Sequence, residues 1–475
     1  MDVKPFYVAG EWRAGTEGFE VRSPFDGDVV ARVGKPGIED IEDASAAAAR
    51  ARSEIARLPL HVRAEALTHV SKRLGERADE IAASIASEGG KPIKWAKVEA
   101  ARAVSTFRWA AEECRRETGE IMRFDADAAL GSRAGLIRRV PLGPVLGITP
   151  FNFPVNLVAH KLAPAIAVGA PVVIKPATRT PLGALVLAEL VAETELPPEM
   201  LSVLPIEGAA AGELAKDDRF AKVSFTGSSE VGWSLKAAAP KKTVTLELGG
   251  NAGVVIHDDA DLDHAAERVA FGGFYQAGQS CIAVQRVFVQ RDVAAAFTEK
   301  LQRAVGELVV GDPMDEATDV GPLIDSGALD RVSAWVDEAV AAGAELIAGG
   351  KRRDPLYEPT VLARTTETMK VRCEEIFGPV VTLVEYDAFE DALAAVNSSR
   401  YGLQAGVFTS DVERVFEAWR TLEVGGVIVN DVSAFRGDQM PYGGSKDSGE
   451  GREGLRWAME GMTETRILVL SDVPL

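Results

Sequence analysis

The feature of this sequence that most restricts its fold is a regular alternation of short apolar runs with amphipathic helical segments. The run Ala170–Lys175 (APVVIK) is apolar up to its final lysine, which is typical of a strand buried on both faces of a parallel sheet. Helical periodicity at Pro181–Glu193 and Ala209–Leu214 alternates with strand-like runs at Leu201–Leu204 and Lys222–Phe225. This pattern predicts a doubly wound α/β sheet.

A second alternating region follows Leu248–Asn251, where we expect one domain to join the next. Its strands are predicted at Gly253–Ile256, Arg286–Val289, Val380–Glu385, Ala405–Thr409 and Val427–Asn430, and its helices at Leu262–Gly273, Val293–Val305, Ser326–Ala342 and Glu390–Asn397. The first region is preceded by predicted helices at Glu39–Ile55, His61–Glu88 and Glu99–Glu117 and by short strands at Gly135–Val140 and Val145–Thr149. The chain of 475 residues therefore predicts two α/β domains.

The charge balance excludes two classes of partner. Lys and Arg total 52 against 71 Asp and Glu, a net charge of -19, whereas nucleic acids and anionic membranes require a basic surface. The N-terminal residues lack the apolar core of a signal peptide, and the most apolar stretch, Leu157–Ile174, is interrupted by charged residues and prolines. We expect a cytoplasmic protein that binds neither nucleic acid nor membrane.

Only three cysteines are present, Cys114, Cys281 and Cys373, and their spacing indicates neither a disulfide framework nor a metal site. Cys281 lies in QAGQSCIAVQRVFV, between a turn of small residues and an apolar, β-branched run. A free cysteine most often fills a core, but one at the mouth of a strand can also meet a ligand. The local sequence leaves both interpretations open.

Two further polar residues lie where strands end or turns are rigid. Glu247 lies near the end of the run TVTLEL, which two glycines follow, a position suited to a mobile general base or to a surface carboxylate. Asn152 lies between Pro150 and Pro154, so that its amide is directed either toward an oxyanion or toward its own loop.

Two segments favour the presence of a nucleotide-binding site. Lys175 ends a buried parallel strand, at the sheet edge where ligands of α/β proteins bind, although a lysine there can also simply extend to solvent. In FTGSSEVG a strand leads through Gly227 and Ser228 into a helix whose first amides suit a pyrophosphate. This segment is neither a GxGxxG motif nor a P-loop, so alone it is weak support.

Together these segments resemble the aldehyde dehydrogenase superfamily, over nearly the whole chain. The shared motifs are PFNFP around Asn152, IKPA around Lys175, FTGSSEVG from Phe225, ELGG at Glu247, GQSC at Cys281, EEIFGPV from Glu374 and PYGGSKDSG from Pro441. The resemblance implies a Rossmann-like NAD(P)-binding domain (1–121 and 141–247) and an α/β catalytic domain (248–445). It also implies a small β oligomerisation element (122–140) with a C-terminal tail (446–475), whose strand Thr463–Leu470 extends a neighbouring subunit's sheet in a homodimer or homotetramer.

The family's chemistry implies that Cys281 attacks an aldehyde to form a thiohemiacetal and then a thioester. Asn152 and the backbone N–H of Cys281 would hold the oxyanion, and Glu247 would activate the hydrolytic water. Two alternatives remain: a relative that transfers the acyl group to coenzyme A, which commonly lacks the glutamate, and a catalytically silent homologue. No metal is implied.

The resemblance also implies the cofactor contacts. Lys175 would bind the adenosine ribose, Ser228 the pyrophosphate and Glu375 the nicotinamide ribose, with Phe377, Thr149, Pro150 and Gly227 in the same cleft. Thr178 stands where NAD-preferring members often have a glutamate that repels a 2′-phosphate. We therefore expect NAD or NADP, with NADP accepted and the preference left open.

The sequence says less about the substrate than about the cofactor. We place His160 on the same helix as Asn152 and facing the substrate channel, and Arg108 and Arg436 near that channel, where they would favour a negatively charged or hydroxylated small aldehyde. A structural salt bridge is the alternative for each arginine. The segment FRGDQMPYGGSKDSGEGREG resembles the lactaldehyde, phosphonoacetaldehyde and non-phosphorylating glyceraldehyde-3-phosphate dehydrogenases. Ser280 replaces an arginine of some phosphate-specific relatives, which favours a hydroxyaldehyde or semialdehyde.

Overall fold

The computed structural model describes residues 2–471, and its strands form two large sheets and several small ones. The α-helices are α1 (Ile38–Ile55), α2 (Leu60–Glu76), α3 (Ala78–Gly89), α4 (Ile93–Arg115), α5 (Asn156–Val168), α6 (Leu182–Ala192), α7 (Gly208–Lys216), α8 (Ser229–Ala238), α9 (Leu262–Phe274), α10 (Arg291–Gly306), α11 (Ser326–Ala341), α12 (Lys370–Cys373), α13 (Phe389–Asn397), α14 (Val412–Thr421) and α15 (Leu455–Gly461). Short 3₁₀ helices lie at Ala128–Leu130, Pro198–Met200 and Tyr275–Gly278.

The strands are β1 (Val3–Lys4), β2 (Phe6–Val8), β3 (Glu11–Arg13), β4 (Glu17–Arg22), β5 (Val29–Lys35), β6 (Glu120–Arg123), β7 (Ala134–Pro141), β8 (Val145–Ile148), β9 (Val172–Lys175), β10 (Leu201–Val203), β11 (Lys222–Thr226), β12 (Thr243–Glu247), β13 (Ala252–Ile256), β14 (Val284–Gln290), β15 (Glu345–Ala348), β16 (Arg352–Arg353), β17 (Leu356–Tyr357), β18 (Thr360–Ala363), β19 (Val380–Tyr386), β20 (Tyr401–Gly402), β21 (Gln404–Phe408), β22 (Gly426–Val429), β23 (Ser445–Lys446), β24 (Gly449–Glu450) and β25 (Thr463–Leu470).

The first large sheet has eight strands in the order β24-β12-β11-β8-β9-β10-β2-β3. Its five central strands are parallel, and β24, β2 and β3 add antiparallel edges. Every residue of β8, β9 and β11 is buried, which explains why β8 (VLGI) and β9 (VVIK) read as nearly continuous apolar runs. The order reverses next to β8, so the carboxyl ends of β8, β9, β11 and β12 present a ligand-binding edge.

The second large sheet has seven strands in the order β15-β18-β19-β14-β13-β21-β22, and only the β15–β18 pair is antiparallel. Helices α9, α10 and α11 contribute Val269, Phe297, Val332 and other apolar residues to its main core. This topology confirms the predicted fold, a doubly wound α/β unit followed by a second α/β unit.

A small antiparallel sheet, β25-β7-β6, stands apart from both units. Strand β25 pairs with β7 along eight residues, from Thr463 opposite Pro141 to Leu470 opposite Ala134. The predicted tail strand therefore has a partner within its own chain, in the segment predicted as the oligomerisation element.

Two details differ from the predicted boundaries. The helical segment His61–Glu88 divides at Arg77, whose non-helical backbone separates α2 from α3. The span 446–475, predicted as tail, contains β24 and α15 as well as β25 among its described residues: β24 joins the first sheet and α15 packs on α4 and α5. A Cβ on Gly449 would lie 2.0 Å from the Leu246 carbonyl oxygen, so only glycine permits this pairing. Among residues 2–471, no helix has the length and apolarity that crossing a membrane requires.

Candidate active site

A cavity of about 440 Å³ lies between the carboxyl ends of β8, β11 and β12 and the loops of the second unit. Cys281, Asn152 and Glu247 all border it, although they come from three separate segments of the chain. Residues predicted to bind the cofactor border it too: Pro150, Gly227, Ser228, Glu375 and Phe377. The fold thus brings most of the predicted site residues to one cavity.

Cys281 lies at the end of a tightly constrained turn. Gln276 and Ala277 have φ angles of 53° and 55°, which are uncommon for residues with side chains and point to a turn held by its surroundings. The side chain of Gln279 holds the turn, since its Oε1 accepts from the Ile324 N–H at 2.9 Å. Burial raises the pKa of the Cys281 thiol to about 11, so the resting group is a thiol.

The Asn152 amide lies beside this turn. Its Nδ2 donates to the carbonyl oxygen of Gln279 at 2.9 Å, and Gln276 Nε2 donates to the carbonyl oxygen of Asn152. A primary amide has two N–H groups, so one remains for a ligand. The turn that carries Cys281 and the loop that carries Asn152 are therefore directly bonded to each other.

Glu247 is the last residue of β12 and is only 3% exposed. Neither of its carboxylate oxygens has a hydrogen-bond partner among the described residues. Burial, and then the charge of Glu453, raise its pKa well above the usual carboxylate range. A buried carboxylate without a hydrogen-bond partner destabilises the folded protein, so such a group is typical of a site that binds a ligand or carries out a reaction.

A buried ionic network lies behind Glu247. Lys161 Nζ contacts Glu453 Oε1 at 2.9 Å and Thr226 Oγ1 at 2.8 Å, and Arg436 Nη2 contacts Glu453 Oε2 at 3.0 Å. The Arg436 guanidinium also lies 3.7 Å from the ring centroid of Tyr442, whose hydroxyl oxygen is 3.1 Å from Cys281 Sγ. Arg436 thus has the structural salt bridge that was the alternative to its predicted substrate role.

Sequence reasoning missed three members of this network, Lys161, Glu453 and Tyr442. One signal was available, because Lys161 is the only charged residue besides His160 in the apolar helix α5. A lone lysine in such a helix must find a buried counter-ion. For Glu453 and Tyr442 the sequence carried no comparable signal.

The cofactor side of the cavity is shaped by glycines. Glu375 Oε1 accepts from the Gly250 N–H at 2.9 Å, and a Cβ on Gly249 would lie 2.1 Å from a Glu375 carboxylate oxygen. Burial raises the Glu375 pKa to about 7. Phe377 packs edge-on against Phe151, with 5.9 Å between ring centroids.

The remaining predicted cofactor residues fit a nicotinamide dinucleotide. Lys175 is buried at the end of β9 and has no acidic partner within residues 2–471, and the buried hydroxyl of Thr149 also lacks a hydrogen-bond partner there. Ser228 precedes α8 and is exposed, so the first amides of that helix are accessible. Thr178 is half-buried. These unpaired donors suit the ribose hydroxyls and phosphates of a dinucleotide.

None of the three predicted substrate residues, His160, Arg108 and Arg436, borders the cavity. Asn152 precedes helix α5 and does not lie on it, and His160, on α5, is 1% exposed with its Nε2 at 3.0 Å from Asp438 Oδ1. Arg108 is exposed and lies over the ring of Trp109. Arg102, which was not among the predicted residues, binds Asp438 at 2.8 Å. Arg102 and Arg108 lie six residues apart on α4, and each residue advances a helix by about 100°. Their side chains therefore leave the helix in directions that differ by about 120°.

The family model described as "Aldehyde dehydrogenase family" matches residues 12–468, and the chain belongs to this family. It is 43% identical over 466 residues to a 3-sulfolactaldehyde dehydrogenase of Priestia aryabhattai, covering 98% of this chain and 97% of the relative. Aldehyde dehydrogenase 21 of Physcomitrella patens, solved with the reaction product succinate, is 43% identical with a TM-score of 0.97, covering 100% and 99% of the two chains.

A third similar protein is the glyceraldehyde-3-phosphate dehydrogenase GapN of Methanocaldococcus jannaschii, solved with NADP. It is 35% identical with a TM-score of 0.92, covering 96% of this chain and 100% of the neighbour. The protein is an NAD(P)-dependent aldehyde dehydrogenase, so the predicted family, subgroup and enzyme class are confirmed.

Proposed function

We propose that this enzyme oxidises a small hydroxyaldehyde or semialdehyde to its carboxylic acid through a thioester on Cys281 that water hydrolyses. The observation that carries this proposal is the arrangement of one cavity. A cysteine, a fixed amide and an unpaired carboxylate border it together: Cys281, Asn152 and Glu247. These are the nucleophile, the oxyanion donor and the base that such a reaction requires.

The residues act in sequence. Because the thiol is protonated at rest, its proton passes to the Glu247 carboxylate as sulfur attacks the aldehyde carbon. The free N–H of the Asn152 amide then holds the oxyanion of the thiohemiacetal. A nicotinamide cofactor, held by Lys175, Ser228 and Glu375, would supply the acceptor for the hydride of the aldehyde carbon. After the thiol proton has been released to solvent, the Glu247 carboxylate removes a proton from the water that attacks the thioester carbon, and the C–S bond breaks with its electron pair remaining on sulfur. A base in this position favours hydrolysis over transfer to coenzyme A.

The surroundings of the arginines support a substrate of modest negative charge. Arg102 shares its charge with Asp438, and Arg436 shares its own with Glu453, so neither is a free cation for a dianionic phosphate. Relatives that act on 3-sulfolactaldehyde or bind succinate agree with an acidic or hydroxylated three- or four-carbon aldehyde. Arg102 replaces Arg108 as the arginine of α4 that we assign to the substrate side.

The cofactor contacts support acceptance of NADP as well as NAD. Thr178, near the unpaired Lys175, presents no carboxylate to a 2′-phosphate. Arg179 follows Thr178 in the chain, but its positive charge is partly neutralised because it pairs with Asp325 at 3.0 Å. The neighbour solved with NADP supports the same proposal.

We also propose a cytoplasmic homodimer or homotetramer. The β25 sheet exposes apolar side chains, with Ile121 67% and Leu468 56% exposed, and helix α14 exposes Trp419 to 67%. The second large sheet ends at β22, whose outer edge is unpaired within the described residues. A second copy of the chain would cover these apolar faces and edges.

The test is reduced-cofactor formation without coenzyme A, with NAD and NADP supplied separately. The substrates are 3-sulfolactaldehyde, lactaldehyde, succinic semialdehyde and glyceraldehyde 3-phosphate, and Cys281→Ala is the control. We expect turnover with a carboxylate- or hydroxyl-bearing aldehyde and none in the control. Turnover that survives Cys281→Ala, or that requires coenzyme A, contradicts the proposal.

A further inference from the structure

Tyr442 contacts the nucleophilic sulfur directly. It is 3% exposed, and its hydroxyl oxygen lies 3.1 Å from Cys281 Sγ. Its backbone is held by a reciprocal pair of hydrogen bonds with Glu453, in which Tyr442 N–H donates at 3.0 Å. Ile282 and Leu403 pack beside the two side chains.

The ring of Tyr442 also carries a cation on its face. The Arg436 guanidinium lies 3.7 Å from the ring centroid and is itself fixed by Glu453. A positive charge over a phenol ring draws electron density from it and makes its O–H a stronger donor. A thiol is a weak donor and a thiolate a good acceptor, so the hydrogen bond runs from Tyr442 to sulfur once the sulfur is ionised.

We propose that Tyr442 is a catalytic residue that donates its hydroxyl proton in a hydrogen bond to the Cys281 thiolate, with Arg436 as the positioning residue that polarises it. When the Cys281 thiol ionises, the S–H bond breaks, its proton joins a Glu247 carboxylate oxygen, and the electron pair stays on sulfur. Tyr442 keeps its own proton. This inference rests on the proposed function of Cys281.

The charges around the thiol explain why such a donor is needed. The titratable groups that face it are Tyr442, Tyr275, Arg436, Glu247 and Glu375. Burial and the two carboxylates raise the thiol pKa, whereas Tyr442 and Arg436 lower it. Arg436 acts on the sulfur through its charge, whereas the Tyr442 hydroxyl lies 3.1 Å from the sulfur and is the group placed to stabilise the anion by contact.

The test is the rate of alkylation of Cys281 by iodoacetamide against pH, read at that residue by mass spectrometry. Tyr442→Phe removes the hydroxyl and keeps the ring, and the matched control is Tyr357→Phe, a buried tyrosine in the core of the second unit. Losing a hydrogen bond to a charged group corresponds to a thiolate fraction lower by ~10–100-fold. We expect Tyr442→Phe to slow alkylation and lower kcat/KM by that factor, while Tyr357→Phe changes neither.

Equal alkylation profiles for Tyr442→Phe and the parent, with parent turnover that depends on Cys281, would overturn this inference and leave the proposed function standing. Turnover that survives Cys281→Ala would overturn both. If Tyr442→Phe does not fold, 3-fluorotyrosine at position 442 gives the opposite test. Its more acidic hydroxyl should raise the alkylation rate, and an unchanged or lower rate counts against the role of Tyr442.

Discussion

Replacing Glu453 by glutamine should destabilise the enzyme by about 3–5 kcal/mol, because the substitution leaves two buried cations without a counter-charge. The side chains of Lys161 and Arg436 are 0% and 6% exposed, so water cannot replace the lost carboxylate. Glutamine keeps one oxygen acceptor, so one of the two cations loses its charge-assisted hydrogen bond, worth about 1.5–3 kcal/mol, and both lose the opposite charge. Lys161 keeps Ser224 and Thr226 as acceptors, which reduces the loss on its side.

The loss should depend on pH. Burial acts to raise the Glu453 pKa, but Lys161 and Arg436 outweigh it and hold the pKa well below its usual value of 4.5. A carboxylate with a depressed folded-state pKa stabilises the fold above its unfolded pKa and loses that contribution as pH falls through the folded value. The difference between parent and Glu453→Gln should therefore be largest at neutral pH and shrink below pH 4.5.

The assay is urea unfolding of both proteins at neutral pH and in acidic buffer, followed by circular dichroism. Glu299→Gln is the control, since Glu299 forms an exposed pair with Arg303 at 3.3 Å. Removing an exposed pair changes the free energy of unfolding by about 0–1 kcal/mol. A loss at Glu453 no larger than that at Glu299, or one independent of pH, would refute the argument that this carboxylate neutralises the buried cations.

Three further predictions concern the reaction. Asn152→Ala should lower kcat by ~10²–10³, because the oxyanion loses a fixed donor, and an unchanged steady-state rate would contradict this. The hydrolytic rate should rise with pH through a pKa well above 4.5, because burial and Glu453 raise the pKa of the base Glu247. In Glu247→Gln this limb should disappear from the pH profile of the steady-state rate, because both the deprotonation of Cys281 and the activation of water depend on that carboxylate. Thr178→Glu should lower kcat/KM for NADP by about tenfold or more relative to NAD, because a carboxylate beside the 2′-phosphate would repel it by about 1.4 kcal/mol or more. Equal changes for both cofactors would exclude a role of Thr178 in accepting the 2′-phosphate.

The sequence by itself determined the two alternating α/β units and their main strands, and it predicted the reacting groups. Hydrophobic periodicity reports local backbone geometry and which residues face a core, and both follow from residues close in the chain. This pattern placed Cys281 at the mouth of one strand and Glu247 near the end of another, whereas their predicted roles came from the resemblance to the family's motifs. Both border the cavity in the folded chain.

Only the tertiary structure decided what these groups touch. Tyr442 is 161 residues from Cys281, and Glu453 is 292 residues from Lys161, so no local pattern joins either pair. The same limit explains the corrections at His160 and Arg108. A sequence shows that a residue lies on a helix, but the direction in which its side chain points depends on how that helix packs. Such contacts follow from strand order and from the packing of distant elements, which the free energy of the whole core selects.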